Sequence, residues 1–179
     1  RNILMKNDLA VLNIIAANKW NRPIYFTSPG SQQIGFDQYL RADGLSYRLV
    51  PVVMTQNSTV NTDWTMNVMM NKFTYGNAAA KGIYFDEENR RHLYGIRQAY
   101  AEAANNLALQ GRQEDAKKLL AKVDTGMPEQ SVPYGIVSRG NQHDMVSMQM
   151  VEAAYKAGDV TLAAKISARV RKDIEEQLN

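Results

Sequence analysis

The sequence has no cysteine and only two histidines, His92 and His143. Without cysteine there are no disulfides, no thiolate catalysis and no cysteine-bearing metal sites. That composition is compatible with an oxidising compartment but does not establish one. A long hydrophobic run is also missing, since a bilayer-crossing helix needs about 18 apolar residues. The best candidate, LAVLNIIAANKW at 9–20, is too short and is interrupted by Asn13. There is no signal-peptide pattern, and the chain opens on Arg1 rather than Met, so it reads as a fragment from which targeting information can be missing. A phosphate loop is excluded, because GNAAAKG at 76–82 carries no Lys-Ser/Thr pair. Charge is not concentrated either. The net charge is +3, and the densest basic cluster, Arg169-Val-Arg171-Lys172, is followed at once by Asp173, Glu175 and Glu176. Nucleic-acid binding needs a basic face with stacking aromatics, so a nucleic-acid partner is not expected.

What remains is ordinary globular material: 179 residues, 45% hydrophobic and 22% charged, enough for one domain or two small ones. Asn7 or Asp8 can cap a first helix running to about Lys19. Leu9, Leu12, Ile15 and Ala16 share a face that Val11 and Ile14 widen, which predicts a helix covered on most sides. The helix must end before Arg22-Pro23. Ile24-Tyr-Phe-Thr27 reads as a short strand bounded by Ser28-Pro29-Gly30-Ser31. Residues 34–40 suit a helical turn, and Asp43-Gly44 is a turn signal. Leu45, Tyr47 and Leu49 alternate with Ser46 and Arg48 as a half-buried strand requires, and Pro51 then marks an edge or strand end. Residues 55–62 form a polar loop. Asn61 or Thr62 caps a helix over Asp63–Phe73 that turns Trp64, Val68 and Met69 or Met70 inward. The four methionines at 54, 66, 69 and 70 are expected to fill an irregular core.

Beyond residue 87 the pattern is helical throughout. Leu93, Ile96, Tyr100, Ala103, Ala104 and Leu107 recur at spacings of three or four over 89–110. A partner helix follows at 113–123, then a Gly- and Pro-bearing loop at 124–140, then helices at about 142–156 and 159–177 joined at Gly158. The chain is therefore read as a mixed α/β region at 1–75, a linker at 76–86 and helical hairpins at 87–179. The expected class is mainly α with a small α/β part, the hairpins packed on a short two- or three-stranded sheet.

The most regular stretch is AEAANNLALQGRQEDAKKLLAKVDTGMP, 101–128. Gly111 breaks its first helix, Ala116 follows five residues later, and Pro128 closes the second helix. Small residues at these places let two helices approach closely at their crossing. The stretch resembles the tetratricopeptide repeat, with Tyr100 where a large aromatic is usual and Ala104 in place of the customary glycine. A weaker copy at 155–166 repeats the spacing as Gly158 and Ala163, with Ser167 where a large residue is expected and no closing proline. The two glycines lie 47 residues apart, against the ~34 of an uninterrupted array, and two copies are fewer than the ~3 a free-standing solenoid needs. The hairpins are expected to lean on the 1–75 region.

A second resemblance covers the first region. The Asp8-led helix, Trp20, Arg22-Pro-Ile-Tyr-Phe26, Tyr39-Leu40 and Gly44-Leu-x-Tyr-Arg-Leu-Val-Pro51 resemble the soluble C-terminal part of a family of multispanning membrane proteins. That family is common in Bacteroidetes, was formerly of unknown function, and is related to protein O-mannosyltransferase-like enzymes. Their catalytic carboxylates lie in the membrane part, and none can be carried over to this chain. The resemblance implies an extracytoplasmic accessory domain on the periplasmic side of a bacterial inner membrane. It would attach to the membrane through a preceding region and would meet a protein, a peptide or a glycan-bearing acceptor.

Chemical candidates are sparse. His92 follows Arg90-Arg91 at a helix start, and His143-Asp144 sits at another, where a carboxylate also suits the helix dipole. No nucleophile elbow accompanies either histidine, and no HxxxH-type spacing supports a metal site. Asp86-Glu87-Glu88 reads as a solvated helix start. Trp20, Tyr25, Tyr39, Tyr47 and Trp64 could stack on sugars if exposed together, but core packing is the favoured reading. Arg48 is expected to pair with Asp8, Asp37 or Asp43. Catalytic residues, cofactors and metal ligands are thus not expected. The leading expectation is a non-catalytic docking domain whose surface draws on Trp20, Tyr39, Arg48, Trp64, Tyr100, Asn105 and Asn106. The alternatives are a carbohydrate-active enzyme or sugar-binding module using Asp37, Asp43 or Asp63, whose carboxylates would have to face one cleft at about 5–10 Å, and a structural spacer.

Overall fold

The computed structural model describes residues 3–28, 35–55 and 58–178. Its chain is mainly helical, with one small three-stranded antiparallel sheet. Two compact units divide it, Arg1–Asn61 and Thr62–Asn179. The expected turn at 29–31, position 34 of the expected helical turn, and loop residues 56–57 lie outside the described residues.

The first unit contains α1 (Lys6–Asn18), β1 (Tyr25–Phe26), a 3₁₀ turn (Asp37–Tyr39), β2 (Leu40–Asp43) and β3 (Ser46–Leu49). The strand order is β1-β3-β2, with Tyr25 opposite Arg48 and Leu40 opposite Leu49. Gly44 and Leu45 form the hairpin loop. Gly44 has φ +72°, the conformation a two-residue hairpin needs at its first loop position. The far edge of β2 is covered by 59–61, where Ala42 N–H donates to Thr59 O at 2.7 Å and Asn61 N–H donates to Ala42 O at 2.9 Å. Sequence reading missed β2, because Leu-Arg-Ala-Asp offers only two apolar residues in alternation. Its charges resolve locally: Arg41 pairs with buried Asp43 at 2.9 Å. The partner expected for Asp43, Arg48, is not the one it takes.

Helix α1 departs from expectation. Its cap residue is Met5, and Asp8 reaches back to accept the Met5 N–H at 2.7 Å. Within α1, Asp8 alone is buried, whereas Leu9, Leu12 and Ile14 are exposed. Asp8 thus closes the first turn of the helix, and the stripe predicted to face inward is exposed at Leu9, Leu12 and Ala16 and only half-buried at Val11 and Ile15. The core of this unit is instead Leu40, Ala42, Leu49, Val50 and Val60.

The second unit contains α2 (Thr62–Asn71), α3 (Glu87–Leu109), α4 (Gln113–Gly126), a 3₁₀ turn (Arg139–Asn141), α5 (Gln142–Ala157) and α6 (Val160–Leu178). Helix α3 packs against α2, α4 and α5, and α5 packs against α4 and α6. Alanines make the closest crossings: Ala104, Ala116, Ala154 and Ala163 have no exposed surface. The helix at 62–71, grouped by sequence with the first 75 residues, belongs to this second unit. Tyr100 OH donates to Met69 O at 2.8 Å, and Lys122 Nζ donates to the same carbonyl at 2.6 Å, capping the end of α2. The 76–86 stretch is also more than a tether, since Ala78 is fully buried. Of the four methionines only Met69 is fully buried, and Trp64 points outward rather than inward.

The hairpin turns repeat one geometry. Gly111 has φ +79°, its N–H donates to Ala108 O at 3.0 Å, and Arg112 N–H donates to Leu107 O at 2.9 Å. Gly158 has φ +78°, with the equivalent bonds to Tyr155 O at 3.0 Å and from Asp159 N–H to Ala154 O at 2.8 Å. Both satisfy the last carbonyls of a helix through a left-handed glycine. A Cβ on Gly111 meets no atom within 4 Å, so Gly111→Ala isolates the conformational cost. It should lower unfolding free energy by about 1–2 kcal/mol in urea titration, with the m-value unchanged. Tyr100→Phe removes one buried donor and should cost about 1–2 kcal/mol by the same measurement.

Candidate docking surface and the connector behind it

The segment 127–138, between α4 and the second 3₁₀ turn, contains no helix or strand, yet it is held from three sides. Arg97 of α3 is completely buried. Its guanidinium donates to Met127 O at 3.1 Å, Val132 O at 2.8 Å and Pro133 O at 3.1 Å. The Tyr134 ring lies 4.3 Å from the same group, a cation–π contact strengthened by desolvation. Burial pulls the Arg97 pKa below its ordinary value, but a guanidinium stays charged in proteins. Tyr134 OH donates to Asp124 at 2.7 Å, and Asp124 also takes Lys165 of α6 at 2.7 Å.

Helix α5 holds the same connector. Ser147 donates to Tyr134 O at 2.8 Å. His143 is fully buried and stacks on Tyr94 at 5.4 Å between centroids. Its Nε2 accepts the Ile136 N–H at 2.5 Å, and its Nδ1 lies 2.5 Å from Ser138 Oγ. Since Nε2 accepts, the proton sits on Nδ1 and donates to Ser138. Gly135 runs against α6 so closely that a Cβ there would sit 2.6 Å from Arg169 O and 2.7 Å from the Asp173 Cβ.

With the connector pinned, α5 and α6 leave a groove of about 680 Å³ lined by Met145, Met148, Val151, Val170 and Ile174, with the carboxylates of Asp144 and Glu152 alongside. Met145, Met148 and Ile174 are exposed. Three neighbouring apolar side chains thus lie in water on one helix pair. No signal in the sequence singled them out, because they sit at exposed positions of helices whose core faces carry the periodicity.

The residues nominated from sequence fall in separate places. Trp20 is exposed just after α1, where Lys19 and Trp20 both have positive φ. Tyr39 and Arg48 are half-buried in the first unit, and Trp64 is exposed on α2. Core packing as the role of Trp20, Tyr25 and Trp64 is thus corrected: all three are exposed. Tyr100 and Asn106 are buried in the second unit and offer no surface; Asn106 instead donates to Glu102 O at 3.0 Å. Asn105 is half-buried beside it. Of the carboxylates considered for sugar chemistry, Asp43 is committed to Arg41, and Asp63, in the second unit, pairs with Arg112. Asp86 caps α3 by accepting Asn89 N–H at 2.8 Å, and that bond holds its carboxyl below the usual range. His92 is exposed and lies 3.6 Å from Glu88. Among the described residues, one group of metal-competent side chains comes together: His143, Asp144 and Asp173, with ligand atoms all within 4.8 Å of one another.

Residues 1–67 match the family model described as TMEM260-associated domain 2. The match ties the first region to a domain linked to a TMEM260-like membrane protein. No curated protein and no solved structure matches the chain. Among the described residues, no helix is long and apolar enough to cross a membrane.

Replacing Arg97 by Met keeps the side-chain length and strips the donors from three carbonyls. The expected loss is at least about 3 kcal/mol, read as a lower urea midpoint. Limited proteolysis should then cut within 127–138, where the wild-type chain resists.

Proposed function

We propose that this chain is a non-catalytic docking domain of a TMEM260-like membrane protein, placed on the extracytoplasmic side of a bacterial inner membrane. Its role is to hold a protein or peptide acceptor, glycan-bearing or about to become so, near a membrane-embedded glycosyltransferase-like part. The observation that carries this reading is the family match over residues 1–67. The helical part supports it chemically. Two hairpins, α3–α4 and α5–α6, stack through α5 and turn on glycines of like geometry, in the manner of tetratricopeptide-like scaffolds that bind extended peptides. The α5–α6 groove gives such a segment an apolar floor of methionines, whose flexible thioethers adapt to varied side chains.

The test uses photo-crosslinkers placed at Met148 and, as a control, at exposed Lys118 on α4. In cells carrying the intact membrane protein, the Met148 position should capture extracytoplasmic polypeptides and the control should not. Met148→Glu should weaken capture of those same polypeptides by at least about tenfold, equivalent to ~1.4 kcal/mol, with the thermal midpoint unchanged because the side chain is exposed. Equal capture at both positions, or capture unaffected by the glutamate, would sink the reading.

A further inference from the structure

We propose that His143 and Asp144 of α5, together with Asp173 of α6, form a site for a divalent cation, with Zn²⁺ the best-suited ion. The argument begins with hydrogen positions. His143 Nε2 accepts the Ile136 N–H, so it carries a lone pair and no proton. Asp144 Oδ1 lies 3.3 Å from that same nitrogen. The nitrogen and the carboxylate oxygen therefore lie 3.3 Å apart with no hydrogen between them, the Nε2 lone pair being turned to the Ile136 N–H. Asp144 is 9% exposed, and its Oδ1 is buried with no hydrogen-bond donor. A buried carboxylate oxygen without a donor costs about 1–3 kcal/mol, more when charged. Asp173 adds a second carboxylate within 4.8 Å, which raises the repulsion. A cation between the three groups relieves the repulsion and gives Asp144 Oδ1 a partner, in exchange for the acceptor now used by the Ile136 N–H.

The chemistry of the donor set fits. One imidazole nitrogen and two carboxylates suit Zn²⁺, which binds His nitrogen and Asp oxygen at about 2.0–2.2 Å and takes four ligands. The 3.3 Å between Nε2 and Oδ1 is the separation that two such ligands adopt about one ion at a tetrahedral angle. The outer contacts are in place as well. Nδ1–H donates to Ser138 Oγ, and Gln177 donates to Asp173 Oδ2 at 2.6 Å. Ligands of this kind are commonly oriented by such second partners. The three protein ligands leave a fourth position for water or an incoming donor, and Asp144 also lines the α5–α6 groove. Burial and the Asp173 charge push the Asp144 carboxyl above its ordinary range, the direction expected for a carboxylate lacking its counter-ion. Sequence spacing could not reveal the site, because the third ligand lies 29 residues from Asp144 on another helix.

Binding has a predicted signature. The cation takes the Nε2 lone pair now directed at Ile136, so that N–H loses its acceptor and the 136–138 segment shifts. The experiment titrates Zn²⁺ into the chelator-treated 179-residue chain by calorimetry, and follows the Ile136 amide by NMR. The expected result is one ion per chain, a shifted Ile136 resonance and a raised thermal midpoint. Asp173→Asn should weaken binding at least about tenfold, while the metal-free variant keeps wild-type helicity and midpoint. His92→Ala, which removes the other imidazole, should leave affinity unchanged. A Kd weaker than about 1 mM, unchanged affinity in Asp173→Asn, or loss of binding in His92→Ala overturns the proposal. If Asp173→Asn fails to fold, the wild-type spectrum decides. A one-equivalent shift at Ile136 upholds the site, and shifts confined to other residues reject it.

Discussion

Everything in the second unit leans on one buried cation. Among the described residues no carboxylate pairs with the Arg97 guanidinium; its two terminal nitrogens donate to three main-chain carbonyls, its Nε takes no acceptor, and its face meets the Tyr134 ring. Desolvating a charge costs several kcal/mol, and the return comes from ordering a segment that cannot form its own ladder of hydrogen bonds. Once 127–134 is fixed, Tyr134 can place its hydroxyl on Asp124 and its carbonyl on Ser147. The long helix α3, the hairpin partner α4 and the second hairpin are thereby joined through irregular chain. Breaking the guanidinium contact would therefore loosen the relation between the hairpins, not a single local turn.

The two units solve burial differently. In the second, alanines at helix crossings and left-handed glycines at the turns allow close approach, and the core excludes water completely at Ala104, Ala116, Leu119 and Ile166. In the first, Asp8 is the one buried residue of α1, while Met5 before the helix and Leu9 and Leu12 on it are exposed. Leu9 and Leu12 are three residues apart and share one side of the helix.

Much of the helical half was legible in the sequence because its signals are local and redundant. The periodicity over 89–110, the glycines at 111 and 158, and the alanines five residues after each predict helices and turns that the structure places within a few residues. The small sheet was legible in part: the 45–49 alternation pointed to a strand and Asp43-Gly44 to a turn before it, but the charged strand β2 carried too few apolar positions to be seen. Burial direction was the weakest inference. The face of α1 and the placing of Trp20, Trp64 and Tyr100 depend on tertiary neighbours, which periodicity does not identify. The connector was legible only as a loop. Neither the Arg97 cage nor the meeting of His143 with Asp173 leaves a trace in spacing, since each joins residues about thirty or more positions apart.

The pinned connector changes what the word loop means for this chain. A stretch without helix or strand is where evolution usually inserts or deletes residues, because exposed backbone tolerates it. Here Val132 and Tyr134 are fully buried, and Gly135 leaves no room for a Cβ against α6. An insertion within 127–138 would therefore displace buried side chains and the close contact with α6, unlike one in exposed chain. In this unit the irregular segment behaves as the keystone between the hairpins.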